Sequence, residues 1–351
     1  MKRWVPAFAG RADFRRLTTY SKQQKAKSMR VITLEEHYAT PLFLDGPGQD
    51  LKNAALKFEG RALKLIEPLC DIGDKRIAAM DAAGIDFQML SLTSPGTEQL
   101  DEAEAIALAR DSNDAVAAAV KKHPTRFGGF AVLPTMAPDK AAKELEARIR
   151  SGAFKGAVIN GHVRGRYLDD KFFWPILECA EVLNAPIHVH PTKPPKAVFD
   201  AYYGGFSPLV SDMFGSPGWG WHIETAVHVI RLVLGGAFDR FPNLQLVIGH
   251  LGEGLMSLFP RLDNMTPAMT KLKRPITSYL RENVHYTVSG FNFPTTFLNL
   301  LLEVGVPRIM FSADHPYQSM PQARAFLDQL PVSAADRERI AHANAEKLFG
   351  I

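Results

Sequence analysis

Pro186-Ile187-His188-Val189-His190-Pro191 is a short apolar run that ends in two imidazoles and stops at a proline. Residues two apart on a strand face the same side, so His188 and His190 point together and Val189 points away. Seven other runs rich in Val, Ile, Leu and Phe resemble it, at residues 30–37, 86–92, 126–133, 156–160, 244–250, 283–287 and 308–312. Amphipathic segments separate them, most clearly at 101–122 and 138–151. The first of these is alanine-rich, with acids at its start and lysines at its end, as the helix dipole favours. Strands alternating with helices are the pattern of βα units and a parallel sheet. Eight such units predict an α/β fold, a (β/α)8 TIM barrel, whose reactive groups belong at the C-terminal ends of the strands.

Chemistry-bearing residues do gather at those ends. The first run closes on Glu35-Glu36-His37, the fifth on His188-Val189-His190, the sixth on His250, and the eighth leads into Asp314-His315. Strand parity lets Glu35 and His37 share the barrel mouth while Glu36 faces outward. A single strand-end histidine is more often hydrogen-bonded packing than a ligand. Imidazoles and carboxylates at four strand ends together suit one divalent ion that accepts mixed N and O ligands, Zn or Mn. Beyond His250, the sequence His250-Leu251-Gly252-Glu253-Gly254 turns tightly and brings Glu253 within reach of His250 as the next helix begins. His222 and His228, six apart on a helix over 221–234, fall on different faces and are not a metal pair. His162, just past the fourth run, lies within reach of a substrate, whereas His123 and His342 read as structural.

Composition narrows the alternatives. The 351 residues are 46% hydrophobic and 22% charged, an ordinary globular balance. The net charge of +4 misleads, because residues 1–28 hold eight Lys/Arg against one acid and leave 33 bases against 36 acids in the remainder. A nucleic-acid partner therefore has no support in the body of the chain, and no apolar stretch reaches the ~20 residues of a membrane span. Residues 1–28 read as a flexible leader or a misassigned start, and residues 29–351 as one catalytic domain. Cys70 and Cys179 are too few for a disulfide framework, which fits a reducing, cytoplasmic setting. Small helices are expected after the first strand, over 39–71. A long loop over 192–220, carrying Tyr202, Tyr203, Phe206, Phe214 and Trp219, is expected to wall the site together with Trp221, Phe291 and Phe293. Dinucleotide, P-loop and nucleophile-elbow motifs are missing from the sequence.

Twelve segments resemble the decarboxylase branch of the amidohydrolase superfamily. They include LEEHYATP (34–41), RIAAMDAAGID (76–86), SLTSPG (91–96), Asn113-Asp114, GRYLDDKFFWPI (165–176), HVHP (188–191), GHLGEG (249–254) and FSADHPY (311–317). The resemblance runs from about residue 30 to the C-terminus, and GRYLDDKFFWPI with SLTSPG is most similar to the 5-carboxyvanillate type. It implies that Glu35, His37, His190 and Asp314 hold one divalent ion, without an organic cofactor. It also implies that Asp314, His250 and Glu253 carry catalysis, and that Arg261, Asn160, Tyr167 and His188 bind a small aromatic carboxylate. Arg261 would act across a homodimer or homotetramer interface. The implied reaction is non-oxidative loss of CO2 from an ortho-hydroxylated aromatic acid. Hydrolysis or hydration by a metal-bound water is the alternative for the same site, and a barrel that only binds is a third. The Glu-x-His start is shared with the benzoate-decarboxylase branch. His315 departs from the Tyr or Trp often found there, which leaves the substrate open.

Overall fold

A computed structural model describes residues 29–56 and 61–351; the leader expected at 1–28 lies outside the described residues. Eight strands form one parallel sheet in sequence order: β1 (Ile32–Tyr38), β2 (Phe87–Leu92), β3 (Phe127–Val132), β4 (Phe154–Asn160), β5 (Ile187–His190), β6 (Leu246–Ile248), β7 (Val284–Thr287) and β8 (Ile309–Met310). Each coincides with one of the eight apolar runs, so the (β/α)8 expectation holds. The strands are buried along nearly their whole length, because the barrel interior covers one face and the outer helices cover the other.

The seam between β8 and β1 is closed by residues of the barrel mouth. The His37 N–H donates to the His315 carbonyl at 2.7 Å, and the Glu35 N–H donates to Ser312 Oγ at 2.8 Å. The β1–β2 register slips between Thr33 and Glu36, a bulge that re-aims side chains at the end of β1. Buried Arg76 then fixes that end, donating to the carbonyls of His37 (2.6 Å), Asp71 (2.7 Å) and Pro68 (2.8 Å).

Of the two long connections, the one after β1 is helical as the sequence suggests and the one after β5 is more helical than it suggests. Helices Pro41–Asp45, Gln49–Leu56 and Arg61–Cys70 follow β1, as expected. The segment after β5, expected as a loop, contains helices Lys196–Tyr202 and Pro208–Gly215. Pro195 caps the first and Pro208 opens the second, where its fixed φ suits a first turn and a missing N–H costs nothing. Glycines and prolines there punctuate short helices and do not prevent them. Helix Gly220–Leu234 follows at once.

Candidate active site

Glu35 is the hub of the barrel mouth. One carboxylate oxygen, Oε1, lies 3.3 Å from His190 Nε2 and 3.8 Å from His250 Nε2. The other, Oε2, lies 3.4 Å from His188 Nε2 and accepts from Ser289 Oγ and, at 3.4 Å, from Thr287 Oγ1. His37 Nε2 stands 3.2 Å from Asp314 Oδ1, and its ring centroid is 4.7 Å from that of His190. Potential ligand atoms of Glu35, His37 and His190 lie within 4.8 Å of one another, as do those of Glu35, His250 and Asp314. The structure thus brings together the four expected metal holders, with His250 beside them.

The chemistry of this cluster fits a cation. Both ring nitrogens of His37, Nδ1 of His190 and Oε1 of Glu35 are buried without a hydrogen-bond partner. Groups of this kind are rarely left unpaired unless an ion or water takes them. Burial, reinforced by neighbouring imidazoles, holds His37 and His190 below the usual histidine range and so neutral, the form that binds metal. Burial opposes ionisation of Glu35, but His250, His188 and His190 outweigh it and hold the carboxyl well below its ordinary range. Asp314 moves the other way. Burial pushes its carboxyl up, the carboxylates of Glu35, Glu36 and Glu253 add to this, and His250 only partly offsets them.

A turn with unusual backbone supplies the remaining groups. His250, Leu251, Gly252, Glu253 and Gly254 all have positive φ, at 50°, 55°, 90°, 54° and 78°. Asp314 is left-handed too, at 60°. Such conformations cost energy in non-glycine residues and collect at functional sites. The turn sets Glu253 Oε1 2.7 Å from His250 Nδ1. Burial alone would keep His250 neutral, but Glu253, Glu35 and Asp314 push it up to about 10, and Glu253 is held down at about 2 by His250 and His222. Glu253 was expected at the start of a helix; it lies in this turn, two residues before the 3-10 helix Leu255–Leu258.

The remaining expected residues lie beside this cluster or apart from it. His188 is fully buried against Glu35, under the cluster and away from the open mouth. Asn160 is paired with His190 across β4 and β5, so the two share the inward face, and Asn160 Oδ1 has no partner. Tyr167 donates its hydroxyl to Glu224, and His162 Nδ1 accepts from the Gly165 N–H at 2.9 Å; neither contacts the cluster. Arg261 is exposed on helix Phe259–Leu262 with no carboxylate partner among the described residues. His228 accepts from the Leu168 N–H at 3.1 Å and is structural. Three participants were not foreseen: His222, which binds Glu253, and Thr287 and Ser289, which bind Glu35. Hydroxyls near a strand end give no signal in sequence, and His222 meets Glu253 only through the fold.

A family model described as Amidohydrolase matches residues 63–351. This chain belongs to the amidohydrolase family. The amidohydrolase is 37% identical over 332 residues to the γ-resorcylate decarboxylase of a Polaromonas species, covering 91% of this chain and 98% of the relative. It is similar to the 5-carboxyvanillate decarboxylase of Novosphingobium aromaticivorans, complexed with manganese and 4-hydroxy-3-methoxy-5-nitrobenzoic acid. The TM-score is 0.83 at 32% identity, over 92% of this chain and 97% of that one. It is also similar to a dihydroxybenzoic acid decarboxylase from Polaromonas with bound manganese and 2-nitroresorcinol, with TM-score 0.82, 34% identity, and 92% and 97% of the two chains covered.

Proposed function

We propose that this protein is a metal-dependent carboxy-lyase that removes CO2 from a small ortho-hydroxylated aromatic acid, without an organic cofactor. The observation that carries this reading is the pair of carboxyls in one pocket with opposite tendencies. Burial among imidazoles holds Glu35 below the ordinary carboxyl range while burial among carboxylates pushes Asp314 above it, and Asp314 also lies 3.2 Å from His37 at the centre of the cluster, which suits Glu35 to carrying charge and Asp314 to passing a proton. Relatives 35–37% identical over 91% of this chain are γ-resorcylate decarboxylases, and one 31% identical over 92% is a decarboxylase.

Glu35, His37, His190 and Asp314 would hold one Zn or Mn ion, which supplies positive charge that orients the substrate and favours its phenolate. The phenolate pushes electron density onto the ring carbon bearing the carboxylate. Asp314 delivers its proton to that carbon, the bond to the carboxylate breaks, and its electron pair restores the aromatic ring as CO2 leaves. A coordinating carboxylate is ionised, so Asp314 would take up its proton as substrate enters, from the phenol as it becomes the phenolate. Burial and the surrounding carboxylates raise its affinity for that proton. His250, charged and backed by Glu253, faces the same centre and is suited to the substrate carboxylate. Asn160 is placed to touch the ring substituents beside His190. His188 is assigned to holding Glu35 in place.

We further propose a homodimer or homotetramer in which Arg261 serves a neighbouring site. Exposed Arg261 supports this, as do the exposed Tyr202, Phe206, Leu209, Met213 and Trp219 on the segment after β5. No described helix is long and apolar enough to cross a membrane. The free thiols of Cys70 and Cys179 favour a cytoplasmic setting. The test is turnover of ortho-hydroxylated benzoates in D2O after metal analysis. Release of CO2 with deuterium at the vacated ring carbon is expected; a product formed without CO2 would return the site to hydrolysis.

A further inference from the structure

His222 follows neither from the spacing of histidines on its helix nor from the metal cluster. It stands in the first turn of helix Gly220–Leu234, with Nδ1 2.5 Å from Glu253 Oε2. The other Glu253 oxygen, Oε1, is 2.7 Å from His250 Nδ1. One fully buried carboxylate therefore bridges two imidazoles. An ionised carboxylate only accepts hydrogen bonds, so Nδ1 of each imidazole carries the hydrogen. His222 is itself held from behind: with hydrogen on Nδ1, its Nε2 accepts from the Trp221 Nε1–H at 3.1 Å. The Phe291 ring packs 5.0 Å from both imidazoles and covers the pair.

The bridge answers a mechanical need. The last torsion of a glutamate is soft and roughly two-fold, so a carboxylate held at one oxygen can swing. Glu253 also hangs from a left-handed backbone, with φ of 54°. A second anchor fixes the plane of the carboxylate. The first oxygen then keeps the proton on His250 Nδ1 and turns His250 Nε2 toward Glu35, 3.8 Å away, and the reaction centre.

We propose that His222 is a positioning residue for the decarboxylation: by holding the second oxygen of Glu253 it locks the orientation of His250. This rests on the function proposed above. Two substitutions test it. His222→Phe keeps the ring volume and removes the donor, whereas His222→Asn keeps an N–H near the position of Nδ1. With metal content equal in all three proteins, His222→Phe is expected to lower kcat about 10- to 100-fold, the usual effect of losing an outer hydrogen-bond partner, with KM little changed. His222→Asn is expected to recover most of that loss. Wild-type kcat in His222→Phe, or His222→Asn as slow as His222→Phe, overturns the proposal.

Nitrogen-15 NMR of the metal-loaded proteins reads the same point without turnover. The hydrogen-bonded Nδ1–H signal of His250 should be present in wild type and His222→Asn and lost in His222→Phe. Its persistence in His222→Phe overturns the positioning role whatever the reaction. Failure of the wild type to release CO2 from any ortho-hydroxylated aromatic acid overturns the decarboxylase reading instead.

Discussion

Residue 249 has no room for a methyl group. A Cβ on Gly249 would lie 2.5 Å from Glu35 Oε2, and that carboxylate is pinned by His188, His190 and Ser289 and cannot easily swing aside. Gly249→Ala is therefore expected to lower metal affinity about 10- to 100-fold while circular dichroism stays that of the wild type. Unchanged affinity by metal titration would show that Glu35 can move. A second residue couples the mouth to pH. Glu98 is buried, its Oε2 has no partner, and burial pushes its carboxyl up to about 8 despite hydrogen bonding around Asn160. The folded state thus holds this proton more tightly than the unfolded chain. Its contribution to stability is full below the ordinary carboxylate range and is lost as pH rises through about 8. Glu98→Gln should flatten the fall in unfolding free energy over that window, by an amount on the order of a few kcal/mol; an identical pH dependence in both proteins contradicts this. At this scale, strand parity and strand ends were enough to gather Glu35, His37, His188, His190, His250 and Asp314 at one mouth, while the narrower set of Glu35, His37, His190 and Asp314 came from the family resemblance. Glu98, Ser289 and His222 were not, since each acts through a partner distant in sequence.

Between elements, one amide clamps a helix to the sheet. Asn113, inside helix Glu102–Lys122, donates to the Val132 carbonyl at 2.9 Å and accepts from the Val132 N–H at 2.8 Å, at the end of β3. It also donates to Glu144 Oε1 on the next helix at 2.9 Å. Asn113→Ala leaves both backbone groups of Val132 buried and unpaired, at about 1–3 kcal/mol each. A fall of several kcal/mol in unfolding free energy in urea is expected; a loss below about 1 kcal/mol would mean that water replaces the clamp. The sequence shows Asn113-Asp114 as a family-like pair, but only the structure reveals what Asn113 binds. Strands were easier to locate than connections, because a strand buried on two faces must be a continuous apolar run. The segment over 192–220 misled for the opposite reason: Pro195 and Pro208 mark where helices begin, and a proline read alone cannot be told from a loop signal.

For the whole assembly, the placement of Arg261 makes a sharp expectation. If it completes a neighbour's site, Arg261→Ala and Asp314→Asn are each inactive alone, and subunits exchanged between them regain activity, since one mixed site carries neither defect. No recovery after verified exchange places Arg261 outside the site, and light scattering of the wild type reports the state directly. The charge balance is also a matter of scale: the net +4 is set by residues 1–28, while residues 29–351 carry a small excess of acids, so attraction of an anion would have to come from a local centre and not from the overall charge. The seam of the barrel has a consequence for how the molecule is made. β1 and β8 meet through His37, His315, Glu35 and Ser312, residues of the site or beside it, drawn from opposite ends of the chain. A nascent chain still lacking its last strand has Glu35 and His37 but neither the Ser312 and His315 that close the seam nor Asp314. On the proposed mechanism closure and competence then come together, so activity regained during refolding is expected to report the joining of the two ends of the chain.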